Sequence, residues 1–284
     1  MSGARSSIVG FDLEAFVSTT LAEDLGPGGD VTSQAVIPAD ARFAAVMDTR
    51  DAITVAGLEI AAGFFRRLDP EAVIELLAKD GARVEKGTNL MRIEGRARAL
   101  LTAERSALNT VQHLSGIATL TADYVDKIAG TGATLLDTRK TIPGLRVLEK
   151  YATRMGGARN HRMGLWDAAM IKDNHVAVAG GAGQAVARAR EAGISEIIVE
   201  VDSIDQIEPA LSAGATRLLL DNMAPAMLRG AVTLVGGRVP TEASGGVTLE
   251  TIRSIAETGV DFISVGRLTQ SAPAADIGLD FALA

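Results

Sequence analysis

At 284 residues, 47% hydrophobic and 22% charged, the chain has room for one large α/β domain, or for a barrel with a smaller domain beside it. A net charge of −7 and a pI near 5.1 exclude general nucleic-acid binding, and no apolar run approaches the roughly 18–20 residues of a membrane span. There is no cysteine, which excludes disulfides, thiolate metal sites and a cysteine nucleophile; with no apolar leader in MSGARSSIVG, a cytoplasmic protein is expected.

Phe11, Leu13, Phe16, Val17 and Leu21 recur at helical spacing and predict a helix ending at Gly26. GPGGDVTS, residues 26–33, reads as a structured loop, a connection in preference to a phosphate nest. Strands are predicted over Arg42–Met47 and Ala52–Val55, and a helix over Gly57–Leu68. Ala72–Leu77 and DGARVEKGTNLMRIEG read as short strands punctuated by Gly81 and Gly87. The pattern superficially resembles a biotinyl or lipoyl carrier hairpin, but Lys79 and Lys86 lack the flanking residues such a hairpin presents. Leu100–His113 predicts a helix, with Arg105 a surface partner of Glu104 or Glu94, and Ser115–Ile128 a second helix closed by Gly130. His113 reads as a core or interface histidine.

From here a period appears. Apolar runs recur at Thr134–Leu136, Ala168–Ile171, Ile197–Val201, Leu218–Leu220, Val239–Ala243 and Phe262–Val265. Helical segments at Gln184–Ala192, Ile204–Ala213, Ala226–Val235 and Leu249–Thr258 separate the later ones. Such alternation means βα units and a parallel sheet, and six strands in series suggest a TIM-like α/β barrel, complete or not. An open doubly wound sheet is the alternative, weakened by the lack of GxGxxG after the first strand. The expected organisation is an α/β sandwich domain over residues 1–113, a barrel over 114–272, and a tail, 273–284, packing on the first domain.

The residues that follow each strand carry the chemistry. They are Asp137-Thr138-Arg139-Lys140, Lys172-Asp173-Asn174-His175, Glu200-Val201-Asp202, Asp221-Asn222, Glu242-Ala243-Ser244-Gly245-Gly246 and Gly266-Arg267. Barrel active sites form at the C-terminal strand ends, so this series predicts one. Between Thr138 and Lys172 stand eight fixed positive charges opposed only by Glu149 and Asp167. Arg146, Lys150 and Arg154 at helical spacing read as helix surface. Arg139, His161, Arg162 and Lys172 suit carboxylates, a planar guanidinium binding them bidentately. Lys140 is a point charge for a diphosphate or a second carboxylate. Glu200 and Asp221 could hold sugar hydroxyls, or Mg²⁺ through water. Ser244-Gly245-Gly246 and Gly266, with a helix beginning after Gly246, form a phosphate cradle. His175 divides evenly between strand-end hydrogen bonding and a site role. The three histidines show no zinc-ligand spacing.

The runs TAERSALN (102–109), DTRKTIPGLR (137–146), NHRMGL (160–165), IKDNH (171–175), EVD (200–202), LDN (220–222) and ASGG (243–246) resemble quinolinate phosphoribosyltransferase, also called nicotinate-nucleotide pyrophosphorylase (carboxylating). The likeness runs from about Glu23 to Gly278. It implies transfer of phosphoribosyl from phosphoribosyl pyrophosphate to quinolinate, with Mg²⁺, giving nicotinate mononucleotide, pyrophosphate and CO₂ in NAD biosynthesis. By motif, Arg105, Thr138, Arg139, His161, Arg162 and Lys172 fall around quinolinate. Lys140 falls near the reacting ribose and pyrophosphate, and Glu200 and Asp221 at the ribose and Mg²⁺. Ser244, Gly245, Gly246, Ser264, Val265 and Gly266 match the 5-phosphate loops. Lys140, Glu200 and Asp221 carry the catalytic roles. In this family Arg105 comes from a neighbouring subunit, which implies a homodimer and replaces the surface reading of Arg105. One departure is Arg267-Leu268-Thr269-Gln270-Ser271, where many members have a His at the position of Gln270. The rivals are a homologue preferring nicotinate or serving molybdenum transport, a Schiff-base aldolase using Lys140 or Lys172 on a sugar phosphate, and a non-catalytic phosphate-binding protein.

Overall fold

The computed structural model describes residues 8–281. In chain order these form α1 (Leu13–Leu25), α2 (Val31–Val36), β1 (Arg42–Thr49), β2 (Ile53–Thr54), α3 (Leu58–Leu68), β3 (Val73–Leu76), β4 (Arg83–Val84), β5 (Asn89–Arg96) and α4 (Ala97–Lys127). There follow β6 (Thr134–Leu136), α5 (Arg146–Met155), β7 (Ala169–Ile171), α6 (Asp173–Ala179), α7 (Ala182–Glu191), β8 (Ile197–Val201) and, after a 3-10 turn, α8 (Ile207–Ala213). The chain ends with β9 (Arg217–Asp221), α9 (Pro225–Val235), β10 (Thr241–Ser244), α10 (Ile252–Ala256), β11 (Phe262–Ser264), α11 (Arg267–Gln270) and β12 (Ile277–Phe281). Two compact units result: the chain up to Thr121 with Val147–Gly157 and the residues from Ser271, and Ala122–Arg146 with Ala158–Gln270.

The first unit is built on an antiparallel sheet in the order β12-β1-β5-β3. Along β5, Met91, Ile93 and Gly95 are buried while Arg92, Glu94 and Arg96 are exposed, the two-residue period of a sheet with one covered face. Gly95 has to be glycine, because a Cβ there would lie 2.6 Å from Oδ2 of Asp69. That buried carboxylate accepts the Arg96 N–H at 2.7 Å and the Glu71 N–H at 3.3 Å. Asp30 makes a helix where a loop was expected: its side chain accepts the Ser33 N–H at 2.9 Å and caps the six residues of α2, too few to show a period. The tail supplies β12, which pairs with β1 from Ala45↔Phe281 to Thr49↔Ile277.

Helix α4 corrects the expectation of two helices. It runs unbroken through Ser115-Gly116 for 31 residues, about 46 Å at the usual rise. Ser115 and Gly116 are there for packing. The Ser115 hydroxyl accepts the Ala56 N–H at 3.0 Å, and a Cβ on Gly116 would fall 2.0 Å from the Pro273 carbonyl oxygen. The boundary expected at 113/114 therefore lies inside a helix, and the units change over at Thr121 and Ala122.

A second correction concerns α5, most of which belongs to the first unit. Glu149 and Lys150 are fully buried, and Glu149 Oε1 lies 2.9 Å from His113 Nε2. Of the three residues read as helix surface only Arg154 is exposed. Arg146 is half-buried, its Nε donating to the Thr141 hydroxyl at 3.1 Å and its Nη1 to the Met163 carbonyl at 3.2 Å.

The second unit is a parallel sheet in the order β6-β11-β10-β9-β8-β7. This is the circular order of a TIM-like barrel with the β6–β7 pairing unmade. In its place Leu136 forms a single parallel bridge with Arg159. Strands β8 and β9 are buried almost throughout, as parallel strands covered on both faces must be. Ala168, Ile198 and Leu219 make an apolar cluster on which Met170 packs.

Candidate active site

The C-terminal ends of the six parallel strands surround one cavity of about 740 Å³. Of the residues expected in a site, Thr138, Arg139, Lys140, His161, Arg162, Lys172, Glu200, Asp221, Ser244, Gly245, Gly246, Ser264, Val265 and Gly266 line it. Arg105 does not; it is an exposed residue of α4 in the first unit. His175 acts as a helix cap, its Nδ1 accepting the Lys172 N–H at 3.0 Å.

One wall is cationic and is set by a buried acid. Asp137, fully buried at the end of β6, accepts the His161 N–H at 2.8 Å and the Asn160 side-chain amide at 2.5 Å, so it pins the turn that carries His161 and Arg162. The Arg162 Nη1 donates to the Ala168 carbonyl at 3.1 Å. Burial lowers the Arg162 pKa, and the neighbouring charge of Arg139 lowers it further, against a smaller opposing pull from Asp167. Buried Arg139 Nε meets no hydrogen-bond acceptor among the described residues. A desolvated donor left open beside a like charge is a place built for an anion.

The opposite side carries acids and glycines. Glu200 accepts from Lys172 Nζ at 2.5 Å, and Asp221 from Asn222 Nδ2 at 2.6 Å. Gly245 and Gly246 take left-handed φ values of 93° and 59°, which turn the backbone sharply after β10. The Lys140 stem runs so close over Gly266 that a Cβ there would meet its Cδ at 2.7 Å, and the Thr269 hydroxyl holds the Lys140 carbonyl at 2.7 Å. The expected helix start directly after Gly246 is corrected: α10 begins only at Ile252, beyond a turn in which the Thr251 hydroxyl accepts the Thr248 N–H at 2.9 Å. The helix that follows a glycine directly here is α11, one turn long, after Gly266. A phosphate at residues 244–246 would thus rest on loop N–H groups.

Among the described residues no three His, Asp or Glu side chains converge as metal ligands. Two carboxylates on neighbouring strands, Glu200 and Asp221, are nonetheless the donor set that suits Mg²⁺ when substrate phosphates and water complete its shell.

Comparison with known proteins decides the family. Residues 30–115 match quinolinate phosphoribosyl transferase, N-terminal domain, and residues 117–280 match quinolinate phosphoribosyl transferase, C-terminal domain. The chain belongs to the quinolinate phosphoribosyltransferase family. It is 44% identical over 271 residues to the nicotinate-nucleotide pyrophosphorylase (carboxylating) of Mycobacterium leprae, covering 93% of this chain and 95% of that one. The chloroplastic protein of the same name from Arabidopsis thaliana is 42% identical over 289 residues, covering 95% and 82%. The solved nicotinate-nucleotide pyrophosphorylase from Francisella tularensis aligns with a TM-score of 0.91 at 39% identity, covering 95% of this chain and 96% of that one.

Asp137, Asn222 and Glu242 stand among the strand-end groups in the sequence without a role of their own, and the structure gives each one specific contacts. Glu242 is fully buried on β10, its Oε2 3.3 Å from both His161 Nε2 and Arg217 Nη1. Burial pushes its pKa up, but the hydrogen bonds and charges of His161, Ser264 and Arg217 hold it below the usual carboxylate range. The Arg217 guanidinium in turn lies 4.7 Å from the Phe262 ring centre. His161 Nδ1 accepts the Arg162 N–H at 2.7 Å, which leaves the ring proton on Nε2, facing Glu242. Position is the usable signal for two of the three, since Asp137 directly follows β6 and Asn222 directly follows β9, whereas Glu242 lies within β10.

Proposed function

We infer that the chain transfers the phosphoribosyl group of phosphoribosyl pyrophosphate to quinolinate with decarboxylation, giving nicotinate mononucleotide, pyrophosphate and CO₂, a step of de novo NAD biosynthesis. Beyond family membership, the observation that carries this reading is one cavity with an open donor of Arg139 on one side and carboxylates with a glycine turn on the other. A dicarboxylate fits the first side and a phosphorylated sugar the second.

In the reaction the ring nitrogen of quinolinate bonds to C1 of the ribosyl group as the C1–O bond to pyrophosphate breaks. Charge on the ribosyl centre is oxocarbenium-like in the transition state, and Glu200 and Asp221 are our candidates to stabilise it. Lys140 is assigned to the departing pyrophosphate. Arg139, Arg162 and Lys172, with Thr138 and His161, hold the dicarboxylate. The ribosylated ring nitrogen is then cationic and stabilises the electron pair left on the adjacent ring carbon as its carboxylate departs as CO₂; that pair then takes a proton from solvent. Residues 244–246 and 264–266 are assigned to the 5-phosphate. Mg²⁺, held by Glu200 and Asp221 through water, would supply charge neutralisation for pyrophosphate.

Arg105, exposed on its own chain, is proposed to serve the cavity of a second copy, so the working form is a homodimer. Cysteine-free composition supports a cytoplasmic setting. Lys172 Nζ is engaged by Glu200, which counts against its use as the attacking amine of a Schiff-base aldolase. The test is release of CO₂ and formation of nicotinate mononucleotide from quinolinate and phosphoribosyl pyrophosphate, with and without Mg²⁺. Product in both channels only with Mg²⁺ is expected. Turnover of nicotinate without CO₂ would overturn the substrate assignment, and undiminished turnover without Mg²⁺ the metal assignment.

A further inference from the structure

Asn222 is the one non-glycine with positive φ, 54°, among the described residues. Left-handed backbone is uncommon for a residue with a side chain and marks a position over-determined by its surroundings. The surroundings here are specific. The Asn222 N–H donates to the Ser244 carbonyl at 2.9 Å and extends the β9–β10 ladder by one bond beyond the pair Asp221↔Ser244. Its side chain then turns back, and Nδ2 donates to Asp221 Oδ2 at 2.6 Å. The amide cannot be the other way round, because an ionised carboxylate only accepts. The remaining amide oxygen fills the space in front of Gly245, where a Cβ would lie 2.1 Å from Asn222 Oδ1. So Asn222 needs the left-handed region, Gly245 needs to lack a side chain, and the two are built against each other.

We propose that Asn222 is a positioning residue that locks the Asp221 carboxylate to the turn at residues 244–246, so that the ribosyl centre and the 5-phosphate of one substrate are held in fixed relation. The proposal rests on the assignment of Asp221 and the glycine turn to phosphoribosyl pyrophosphate made above. Asn222 also lines the cavity, and the role proposed for it is exerted through Asp221 and Gly245.

The test uses the full chain with three variants and both substrates varied in turn. Asn222→Gly keeps the backbone comfortable and removes the amide. It is expected to lower kcat/KM for phosphoribosyl pyrophosphate about 10- to 100-fold, the range for losing a hydrogen bond to a charged group, with the quinolinate KM within about twofold and the thermal midpoint held. Asn222→Asp keeps the shape but sets a second carboxylate against Asp221, and should fall further on the same substrate. Asp221→Asn is the control for the underlying assignment. If Asp221→Asn is impaired while both Asn222 variants match the wild type, the positioning role is overturned and the assignment stands. If Asp221→Asn leaves phosphoribosyl pyrophosphate kinetics intact, the assignment fails and takes the proposal with it. Equal losses on both substrates with a lowered thermal midpoint would mark Asn222 as merely structural and also overturn it.

Discussion

The two units each hold a pair of acids, and the two pairs are satisfied to different degrees. In the first, Asp69 accepts the N–H groups of Arg96 and Glu71 and the Arg96 Nε, while Asp80 accepts the N–H groups of Gly57 and Leu58 and the Tyr151 hydroxyl. In the second, among the described residues, Glu200 and Asp221 are each met by a single side chain. The cations show the same contrast, Arg96 being paired with Asp69 whereas Arg139 Nε has no acceptor among the described residues. Full hydrogen bonding fixes a backbone, whereas unfinished hydrogen bonding at a strand end is capacity held for a ligand. Two kinds of substitution should therefore separate stability from turnover.

The largest effect is expected on turnover. Arg139→Ala should reduce kcat/KM for quinolinate about 10²–10³-fold, roughly 3–4 kcal/mol, since charge-assisted bonds to a buried carboxylate are lost. Its thermal midpoint should stay level or rise, because the repulsion that lowers the Arg162 pKa is relieved. Steady-state kinetics beside thermal melting would check both halves. A variant with near-normal quinolinate turnover would remove Arg139 from the clamp.

The mirror experiment lies in the first unit. Asp69→Ala strands the N–H groups of Arg96 and Glu71 and opens space against Gly95, and should cost about 2–4 kcal/mol of stability. Activity per folded molecule should not change. Denaturant midpoints with active-site-normalised rates would show it; an equal loss in both would erase the distinction between the units.

What could be read in advance follows the same division. The six parallel strands were legible because a strand buried on both faces is a plain apolar run, and the polar residues after each run mark the barrel mouth. The cationic wall was legible because Arg139, Arg162 and Lys172 abut such runs. The errors fall where a distant partner decides. Ser115-Gly116 looks like a helix end until Ala56 and Pro273 are seen to need those residues. Lys150 looks like surface until α5 is placed in the first unit and buries it. Asn222 reads as one polar residue among several, because its backbone conformation and its fit to Gly245 are properties of the fold.

Glu242 lies between the two classes, a fully buried acid in the second unit that lines the cavity and is already partnered by His161 and Arg217. Glu242→Gln keeps an acceptor for the His161 Nε2–H but leaves Arg217 without its buried counter-charge. A loss of about 1–3 kcal/mol is expected, at the low end for a broken buried pair because Arg217 is partly solvated and also lies 3.5 Å from Glu196. The quinolinate KM should rise only a few-fold. A fall in kcat/KM as large as that of Arg139→Ala, with stability unchanged, would instead place Glu242 among the ligand-facing groups.

The smallest effect is in acid. Asp30 has its carboxyl held below the ordinary range by the Ser33 side chain and N–H, helped by Thr102. Asp69 is pushed up by burial, but the N–H groups of Arg96 and Glu71 and the Arg96 guanidinium outweigh this and hold it low as well. Both depressed acids bind fewer protons folded than unfolded, so stability rises with pH through this range. Their contribution is complete above the unfolded carboxylate value of about 3.9 and is lost as pH falls through the lower folded values. Asp30→Asn retains a good helix cap and should change stability near neutral pH by less than about 1 kcal/mol. It should also flatten the decline of the thermal midpoint as pH falls below the unfolded carboxylate value of about 3.9, the side on which the depressed Asp30 value acts. Identical slopes for variant and wild type would mean that the cap bond at Ser33 carries no charge-dependent stability. The saturated acids of the first unit would then differ from the open ones of the second in geometry alone.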